Sequence, residues 1–442
     1  MTRCRTVIIG LGVTGRSCIR HLQGDDLLVL DTRSDDSLLA DLPTHPALEC
    51  RLGMQSHEFS DADRVLVSPG MALDHPLLAD ALRRGLPIQS DIELFFDAAE
   101  APVFAITGTN GKSTVTAMTA ALLAAEGYRV QVGGNLGEPA LDLLAGEPDY
   151  YVLELSSFQI ERLRDVALAG ATVLNVTEDH IDRHGDIDTY AGVKTRLYRR
   201  AAVCAFNRAD ARSRPGVEVP GRRTSFGLDA PGMGEWGRRR QHGELWFARG
   251  DAALLPVASL RLAGLHNQEN FLAACAVLDD LTLSAGALDR VAHDFQALPH
   301  RCETVAEKRG VRFVNDSKAT NVGATIAAVQ GIAPTLGEGG RIVLLAGGDG
   351  KGADFGPLRA LAGSLRAVVL YGRDAGRLRD ALDGAVPLID ADGFQAAVLS
   401  AASEARCGDC VLLAPACASL DMFANYGERG RRFVSLVGEL PV

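Results

Sequence analysis

At 442 residues the chain is too long for one core, and about 150 residues per domain predicts three. Apolar residues at 47% against 23% charged exclude a disordered chain, and no apolar run is long enough to span a bilayer. A net charge of -11 gives a nucleic-acid partner no electrostatic support, although anionic small molecules need only local positive charge.

The start of the chain, Met1 to Cys18, lacks the basic, apolar and small-residue zones of a signal peptide. Nine scattered cysteines fit a reducing compartment, so a cytoplasmic enzyme is expected. Cys407 and Cys410 form a C-x-x-C pair with no second pair and no thioredoxin-like surroundings, and neither zinc nor redox chemistry is assigned to it.

Apolar runs alternate with helical patterns throughout, which predicts parallel α/β layers. The first unit is a strand at Arg5–Ile9, the turn Gly10-Leu11-Gly12-Val13-Thr14-Gly15, a helix, and a strand at Leu27–Leu30 ending on Asp31. This is a complete G-x-G-x-x-G fingerprint with an acidic residue about twenty positions on, which points first to NAD. A separate nucleotide loop later in the chain, and no obvious hydride-transfer machinery, argue against that reading. Bare glycine backbone and a helix amino terminus bind any diphosphate, including that of a UDP-sugar. Ser68-Pro69-Gly70, after the strand Val65–Val67, could close the same pocket or be a plain turn.

The second unit opens near Pro102. A strand at Val103–Ile106 leads into Thr107-Gly108-Thr109-Asn110-Gly111-Lys112-Ser113-Thr114, and a helix runs from Val115 to Ala125. Glycines aim backbone N–H groups inward, the lysine supplies a point charge, and the hydroxyl can ligate Mg2+. Only Thr109 and Asn110 separate Gly108 from Gly111, so the loop is shorter than the general phosphate-binding pattern. Glu154 ends the apolar run from Tyr150, and Ala171–Thr177 is followed by Glu178, Asp179, His180 and Asp182. Carboxylates and an imidazole beside phosphates suit Mg2+, which takes few protein ligands; His180 could equally be a solvated loop histidine. Asp210 to Gly250 reads as loops and short antiparallel strands. Asn267 and Asn270 precede an apolar helix at Phe271–Leu278, where asparagines cap helices or read a purine edge.

The third unit opens at Leu298-Pro299-His300-Arg301. Three strands end in polar clusters: Val311–Val314 before Asn315–Asn321, Arg341–Ala346 before Gly347–Lys351, and a run from Val411 before Ser419-Leu420-Asp421. They should converge at one sheet edge as a small anion site facing the nucleotide.

These motifs together resemble the Mur ligases. The resemblance rests on T-G-T-N-G-K-S-T at 107–114, G-G-N-L-G at 133–137, L-E-L-S-S-F-Q at 153–159 and N-V-T-E-D-H at 175–180. It continues through H-R at 300–301, N-D-S-K-A-T-N at 315–321, G-G-D-G-K at 347–351 and P-A-C-A-S-L-D at 415–421, and so covers essentially the whole chain. The third-unit motifs resemble the branch that joins D-glutamate to UDP-N-acetylmuramoyl-L-alanine through an acyl phosphate, in peptidoglycan precursor synthesis. Other precursor ligases, folylpolyglutamate synthetases and an NAD-dependent oxidoreductase are the competing readings.

The resemblance implies three α/β domains: a Rossmann-like UDP-binding domain at 1–97, a central P-loop ATPase-like domain at 98–298, and a Rossmann-like amino-acid-binding domain at 299–442. It implies ATP and Mg2+, with two ions, and a monomer. Val13, Thr14, Asp31, Thr32 and Ser68 would hold the uridine diphosphate, and Asn135 and His180 would face the muramoyl-alanine end. Gly108 to Thr114 would bind the ATP phosphates, with Asn270 on adenine, Arg301 on phosphate and Asp316 on ribose. Lys112, His180 and Lys194 would be catalytic; Ser113, Glu154, His180 and Lys194, the last carboxylated by CO2, would form the metal site. Without the resemblance Lys194 reads as an ordinary surface lysine. Lys318, Thr320, Lys351, Ser419 and the N–H of Leu420 would bind glutamate, with Asp349 orienting Lys351.

Overall fold

The computed structural model describes residues 4–216, 219–262 and 264–441, and three sheets follow one another along the chain. The first contains β1 (Arg5–Ile9), β2 (Asp26–Leu30), β3 (Leu48–Arg51), β4 (Arg64–Val67) and β5 (Ile88–Gln89). All pair in parallel, in the order β3-β2-β1-β4-β5. Near-continuous apolar runs such as Leu27–Leu30 suit strands covered on both faces. The strand order reverses beside β1, and there the turns after β1 and β4 face each other, where open α/β sheets bind ligands.

Each glycine of the first turn has its own reason. A Cβ on Gly10 would lie 2.5 Å from Ser68 Oγ, and one on Gly15 would lie 2.1 Å from the Gly10 carbonyl oxygen. Beside Gly12 the space is open, so a ligand can approach its backbone.

The second sheet contains β6 (Val103–Thr107), β7 (Val130–Gly134), β8 (Tyr150–Glu154), β9 (Leu168–Val173), β10 (Ala201–Asn207), β11 (Arg222–Phe226), β12 (Trp236–Gln241), β13 (Glu244–Arg249) and β14 (Ala252–Pro256). Its order is β14-β13-β12-β11-β10-β9-β6-β8-β7. Within the stretch read as antiparallel, β11 instead runs parallel to β10 and β12 parallel to β11, and the chain reverses at β13, which pairs antiparallel with both β12 and β14. The apolar run expected to reach Thr177 leaves the sheet at Val173. Leu174 and Val176 are buried all the same, Leu174 against Gly108 and Gly111 of the phosphate loop. The helix expected from Phe271 begins at Leu265, with Gly264 at its N-cap, so Asn267 and Asn270 sit inside the helix instead of capping it.

The third sheet contains β15 (Glu303–Lys308), β16 (Val311–Asn315), β17 (Ile342–Gly347), β18 (Leu365–Tyr371), β19 (Leu388–Asp390) and β20 (Cys410–Leu413), ordered β15-β16-β20-β17-β18-β19. Its strands are parallel except for the β15–β16 hairpin, so the carboxyl ends of β16, β20 and β17 lie side by side.

The first two sheets share one apolar cluster. Ile92 and Phe95, on the helix Asp91–Ala98, join it to Leu141, Tyr151 and Leu153, and Phe95 meets the Tyr151 ring edge-on at 5.0 Å. The third sheet has apolar clusters of its own on its two faces.

A fully buried cation fixes the third sheet's loops. Arg429, on the helix Tyr426–Glu439, donates to Ser317 Oγ at 3.0 Å, to the Ser317 carbonyl at 2.8 Å and to the Cys417 carbonyl at 3.2 Å. It thereby ties the loop after β16 to the loop after β20. Arg429→Leu would strand those carbonyls in the interior at a cost of about 3 kcal/mol, read as a lower urea midpoint of the folded chain.

Candidate active site

A cavity of about 660 Å³ opens where the second and third sheets meet, walled by the phosphate loop, the 175–180 segment, the helix Leu265–Val277 and the loop after β16. The phosphate loop wraps the amino terminus of the helix Lys112–Ala125, whose N-cap is Gly111 with φ +84° and no side-chain cap. Its first N–H groups therefore point into the cavity uncapped, an anion-binding arrangement. The segment after β9 pins the loop from below. Thr109 N donates to the Asn175 carbonyl and Asn110 N to Asn175 Oδ1, both at 2.8 Å.

Lys112 folds back on this loop, its Nζ donating to the Gly108 carbonyl at 3.0 Å and the Thr109 carbonyl at 2.8 Å. Burial lowers its pKa, with Glu154 and Asp179 pulling the other way. Ser113 Oγ donates to Glu154 Oε2 and accepts from Arg301 Nη2 at 2.5 Å. Asn135 Nδ2 donates to Glu154 Oε1 at 2.6 Å. Burial by itself would raise the Glu154 carboxyl; Lys112 and the bonds from Ser113 and Asn135 outweigh it and hold the group below its usual range. An ionised carboxylate beside a hydroxyl at the helix terminus fits a hard cation that keeps water and phosphate oxygens as its other ligands.

Lys194 is no surface residue. It is 1% exposed on the helix Ile187–Thr195, with Nζ donating to the Gly108 carbonyl at 2.9 Å and lying 4.3 Å from the centre of the Tyr190 ring. Burial first, and then repulsion from Lys112, drive its pKa far below the ordinary lysine value. That lowering makes the neutral amine, whose lone pair attack on CO2 requires, easier to reach than for an ordinary lysine.

His180 has φ +55° and meets the Phe158 ring edge-on at 4.8 Å. Burial pushes its pKa down to about 4, against the pull of Asp179, so the imidazole is neutral at pH 7. It can accept a hydrogen bond or ligate a metal, but it is a weak base.

The third sheet closes the cavity with polar contacts. Lys351 Nζ donates to Asp179 Oδ1 at 2.8 Å, and Asn321 Nδ2 donates to Asn110 Oδ1 at 3.1 Å and Asp179 Oδ2 at 3.3 Å. Asp349, expected to orient Lys351, accepts from the Lys351 backbone N–H at 3.0 Å and from Arg373 Nη1 at 2.7 Å. The ammonium reaches the second sheet's own carboxylate, which no spacing in the sequence pairs with it. Lys318 Nζ lies 4.0 Å from the centre of the Tyr426 ring. Burial, reinforced by Arg301, pushes its pKa down to about 8. Asp316 is pushed up to about 6 by burial, with Arg301 opposing, and accepts from Cys302 Sγ at 3.5 Å.

Of the residues singled out in the sequence, Thr109 to Thr114, Asn135, His180, Lys194, Asn270, Arg301, Asp316, Lys318 and Thr320 line the cavity. Gly108 and Glu154 stand directly behind this wall through Lys112 and Ser113, and Lys351 joins it through Asp179. Ser419 and Leu420 are off the wall; Ser419 is buried and Leu420 is 71% exposed. Val13, Thr14, Asp31, Thr32 and Ser68 belong to the first sheet's crevice. There Asp31 accepts from Leu11 N at 2.7 Å and pairs with the Arg33 guanidinium at 2.8 Å. Burial opposes its ionisation, but these bonds hold its pKa down to about 2. Sequence reasoning gave no role to Asn110 beyond the loop, nor any to Asn321, Phe158 or Tyr190. Only the Tyr190–Lys194 pair left a signal, since an i, i+4 spacing puts ring and amine on one helix face.

Family models cover most of the chain. One described as "Mur ligase MurD-like, N-terminal domain" matches residues 4–90, "Mur ligase middle domain" matches 106–278, and "Mur ligase, glutamate ligase domain" matches 300–417. A protein of Pseudomonas syringae pv. syringae named UDP-N-acetylmuramoylalanine--D-glutamate ligase is 48% identical over 98% of this chain and 97% of its own. Its namesake in Pseudomonas aeruginosa is 47% identical over 98% of both chains. Among solved structures, UDP-N-acetylmuramate-alanine ligase from Thermotoga maritima superposes with a TM-score of 0.65 at 18% identity, covering 98% of this chain and 99% of that one. An E. coli FolC complex covers 79% of this chain and 92% of its own, with a TM-score of 0.59 at 19% identity. Both structural likenesses speak for the fold.

A Cβ on Gly111 would lie 2.6 Å from Asn270 Oδ1, at a left-handed φ that disfavours alanine in any case. Gly111→Ala should therefore weaken ATP binding at least tenfold in a calorimetric titration while leaving the unfolding midpoint within a few degrees.

Proposed function

The chain belongs to the Mur ligase family, and from that premise we propose how its cavity joins D-glutamate to UDP-N-acetylmuramoyl-L-alanine at the expense of ATP. The observation that carries the reading is the Ser113 hydroxyl, shared between Glu154 of the second sheet and Arg301 at the edge of the third. An uncapped helix amino terminus, a buried carboxylate and a guanidinium from the third sheet's edge meet at that hydroxyl, which supports a phosphate and metal site there.

The assigned domains are 1–97 for the nucleotide-sugar, 98–298 for ATP and 299–442 for the amino acid. The first-sheet crevice, with Val13, Thr14, Asp31, Thr32 and Ser68, takes the uridine diphosphate, and Asn135 and His180 face the muramoyl-alanine end. Gly108 to Thr114 cradle the phosphates, Asn270 meets adenine, Asp316 the ribose and Arg301 a phosphate. Lys318, Thr320, Lys351, Ser419 and Leu420 take the two glutamate carboxylates. Preference for the D enantiomer rests on the relatives, since charge pairing alone accepts either hand.

The alanyl carboxylate oxygen attacks the ATP γ-phosphorus as the bond to the β-bridging oxygen breaks, giving acyl phosphate and ADP. The glutamate amine then attacks the acyl carbon, inorganic phosphate leaves with the C–O electron pair, and the amine proton passes to solvent. Lys112 moves from its own loop carbonyls to the γ-phosphoryl oxygens and spreads their charge. Ser113 and Glu154, with His180 and a carboxylated Lys194, would hold Mg2+, which supplies charge neutralisation on the phosphoryl oxygens when bound. The carbamate forms as the depressed Lys194 amine adds to CO2 and loses a proton, which turns a cation into an oxygen ligand. A monomer working in the cytoplasm fits this chemistry. No helix among the described residues is long and apolar enough to cross a membrane.

Phosphate release from ATP, with the nucleotide-sugar present and amino acids offered one at a time, tests the assignment. Release is expected with D-glutamate and not with L-glutamate; another preferred amino acid would overturn the third-domain pocket. Lys112→Ala should lower turnover by at least a thousandfold, and near-normal turnover would refute its role. The Lys318 amine is protonated below pH about 8 and neutral above it, so kcat/KM for D-glutamate should fall as pH rises through 8. Lys318→Arg should keep measurable activity and lose that alkaline limb.

A further inference from the structure

We propose that Arg162 is a positioning residue for the nucleotide-sugar, holding the Ser68–Gly70 turn at a set distance from the reaction cavity. The inference rests on the reading of the first-sheet crevice as the uridine diphosphate site. Arg162 ends the helix Ser157–Arg162 of the second domain. Its Nη1 donates to the Val67 carbonyl at 3.0 Å and the Ser68 carbonyl at 2.8 Å, and its Nη2 donates to the Met71 carbonyl. One planar fork thus grips both ends of the turn, a geometry that a lysine's single ammonium cannot reproduce.

The turn it grips is half of the crevice. Ser68 Oγ lies 3.4 Å from the Gly10 carbonyl oxygen, and the two are packed so closely that Gly10 tolerates no Cβ. Any shift of the Ser68 turn therefore changes the width of the diphosphate cradle. The other end of the Arg162 helix belongs to the reaction cavity. Ser156 caps it; Ser156, Ser157 and Phe158 line the cavity wall, and Phe158 packs on His180. Six helical residues span about 9 Å. The helix is a short strut with the acceptor carboxylate's end at its start and the nucleotide's end at its finish.

A second tie between the same domains provides the control. Asp142 accepts from Ser17 Oγ at 2.9 Å and Arg20 Nε at 3.0 Å on the helix Val13–His21, and it touches neither turn of the crevice. If Arg162 served only to dock the domains, loss of Asp142 would have the same effect.

The test measures kcat and KM for UDP-N-acetylmuramoyl-L-alanine and for ATP, with calorimetric binding of the nucleotide-sugar, in Arg162→Ala, Arg162→Lys and Asp142→Ala. Expected for Arg162→Ala is a rise of at least tenfold in KM for the nucleotide-sugar, with KM for ATP within twofold. Arg162→Lys should fall between that variant and wild type, and Asp142→Ala should stay within threefold of wild type. An unchanged nucleotide-sugar KM in Arg162→Ala, or an equal rise in Asp142→Ala, overturns the proposal. Should Arg162→Ala fail to fold, Arg162→Lys decides: a KM indistinguishable from wild type overturns it. Wild type that binds no nucleotide-sugar sinks the functional reading and this inference with it. Wild-type binding that Arg162→Ala leaves untouched sinks only the inference.

Discussion

Like charges crowded into one cavity are the constraint on which the rest of this structure depends. Lys112, Lys194, Arg301 and Lys318 surround a space of about 660 Å³. Two unit charges 4 Å apart interact by about 4 kcal/mol at the effective dielectric near a protein surface. Glu154 and Asp179 offset part of that repulsion, and Asn135, Ser113 and Asn321 fix where the two carboxylates point. The remainder shows in the amines themselves: burial and neighbouring cations push the pKa of Lys194 well below the ordinary lysine value and that of Lys318 down to about 8. The site is therefore arranged for anionic ligands, whose arrival restores the charge balance that folding has disturbed.

The domain connections follow the same logic. The first two sheets are joined by a shared apolar cluster through Ile92 and Phe95, which has no low-cost way to part. Across the cavity the third sheet meets the second through Lys351–Asp179, Asn321–Asn110 and Arg301–Ser113, polar pairs that water can replace. At least one partner of each pair is also proposed to hold a substrate: Lys351, Asn110, and both Arg301 and Ser113. A contact made of ligand-binding groups favours closure when ligands lie between them and loses little when they leave, which suits a reaction that must admit three anionic molecules in turn.

Part of the backbone strain gathers at the same surfaces. Among the described residues, Asp41, His242 and Arg309 take left-handed φ in turns elsewhere, whereas His180, His300, Cys302, Lys351 and Ala416 do so in loops at the carboxyl ends of strands or at the junction between the second and third sheets. Non-glycine residues are held there only where surrounding packing overrules local preference. Arg429, buried beneath the loops after β16 and β20, is one visible source of that enforcement.

Much of the fold was legible in the chain itself. The α/β alternation, the phosphate loop and the Gly10–Gly15 turn depend on short stretches whose residue types perform the same local task in any fold: glycine for left-handed backbone, apolar runs for buried parallel strands. Boundaries were less legible where burial and secondary structure part company. Leu174 and Val176 read as strand because they are apolar, yet they are buried in the segment after β9, and Asn267 and Asn270 read as helix-start residues although the helix begins at Leu265. What the sequence by itself determined was the order of the three α/β units and the residue types at their strand ends. Tertiary structure alone decided which of those residues meet. Asp179 rather than Asp349 takes the Lys351 ammonium, Lys194 is buried against Gly108, and Arg162 reaches across a domain boundary to the Ser68 turn. Each pairing joins segments at least 86 residues apart, except that Asp349 is a near neighbour and so the natural choice of a local reading. The physical reason is that charge pairing and desolvation depend on distance through space, which the packing of three sheets sets and no local pattern encodes.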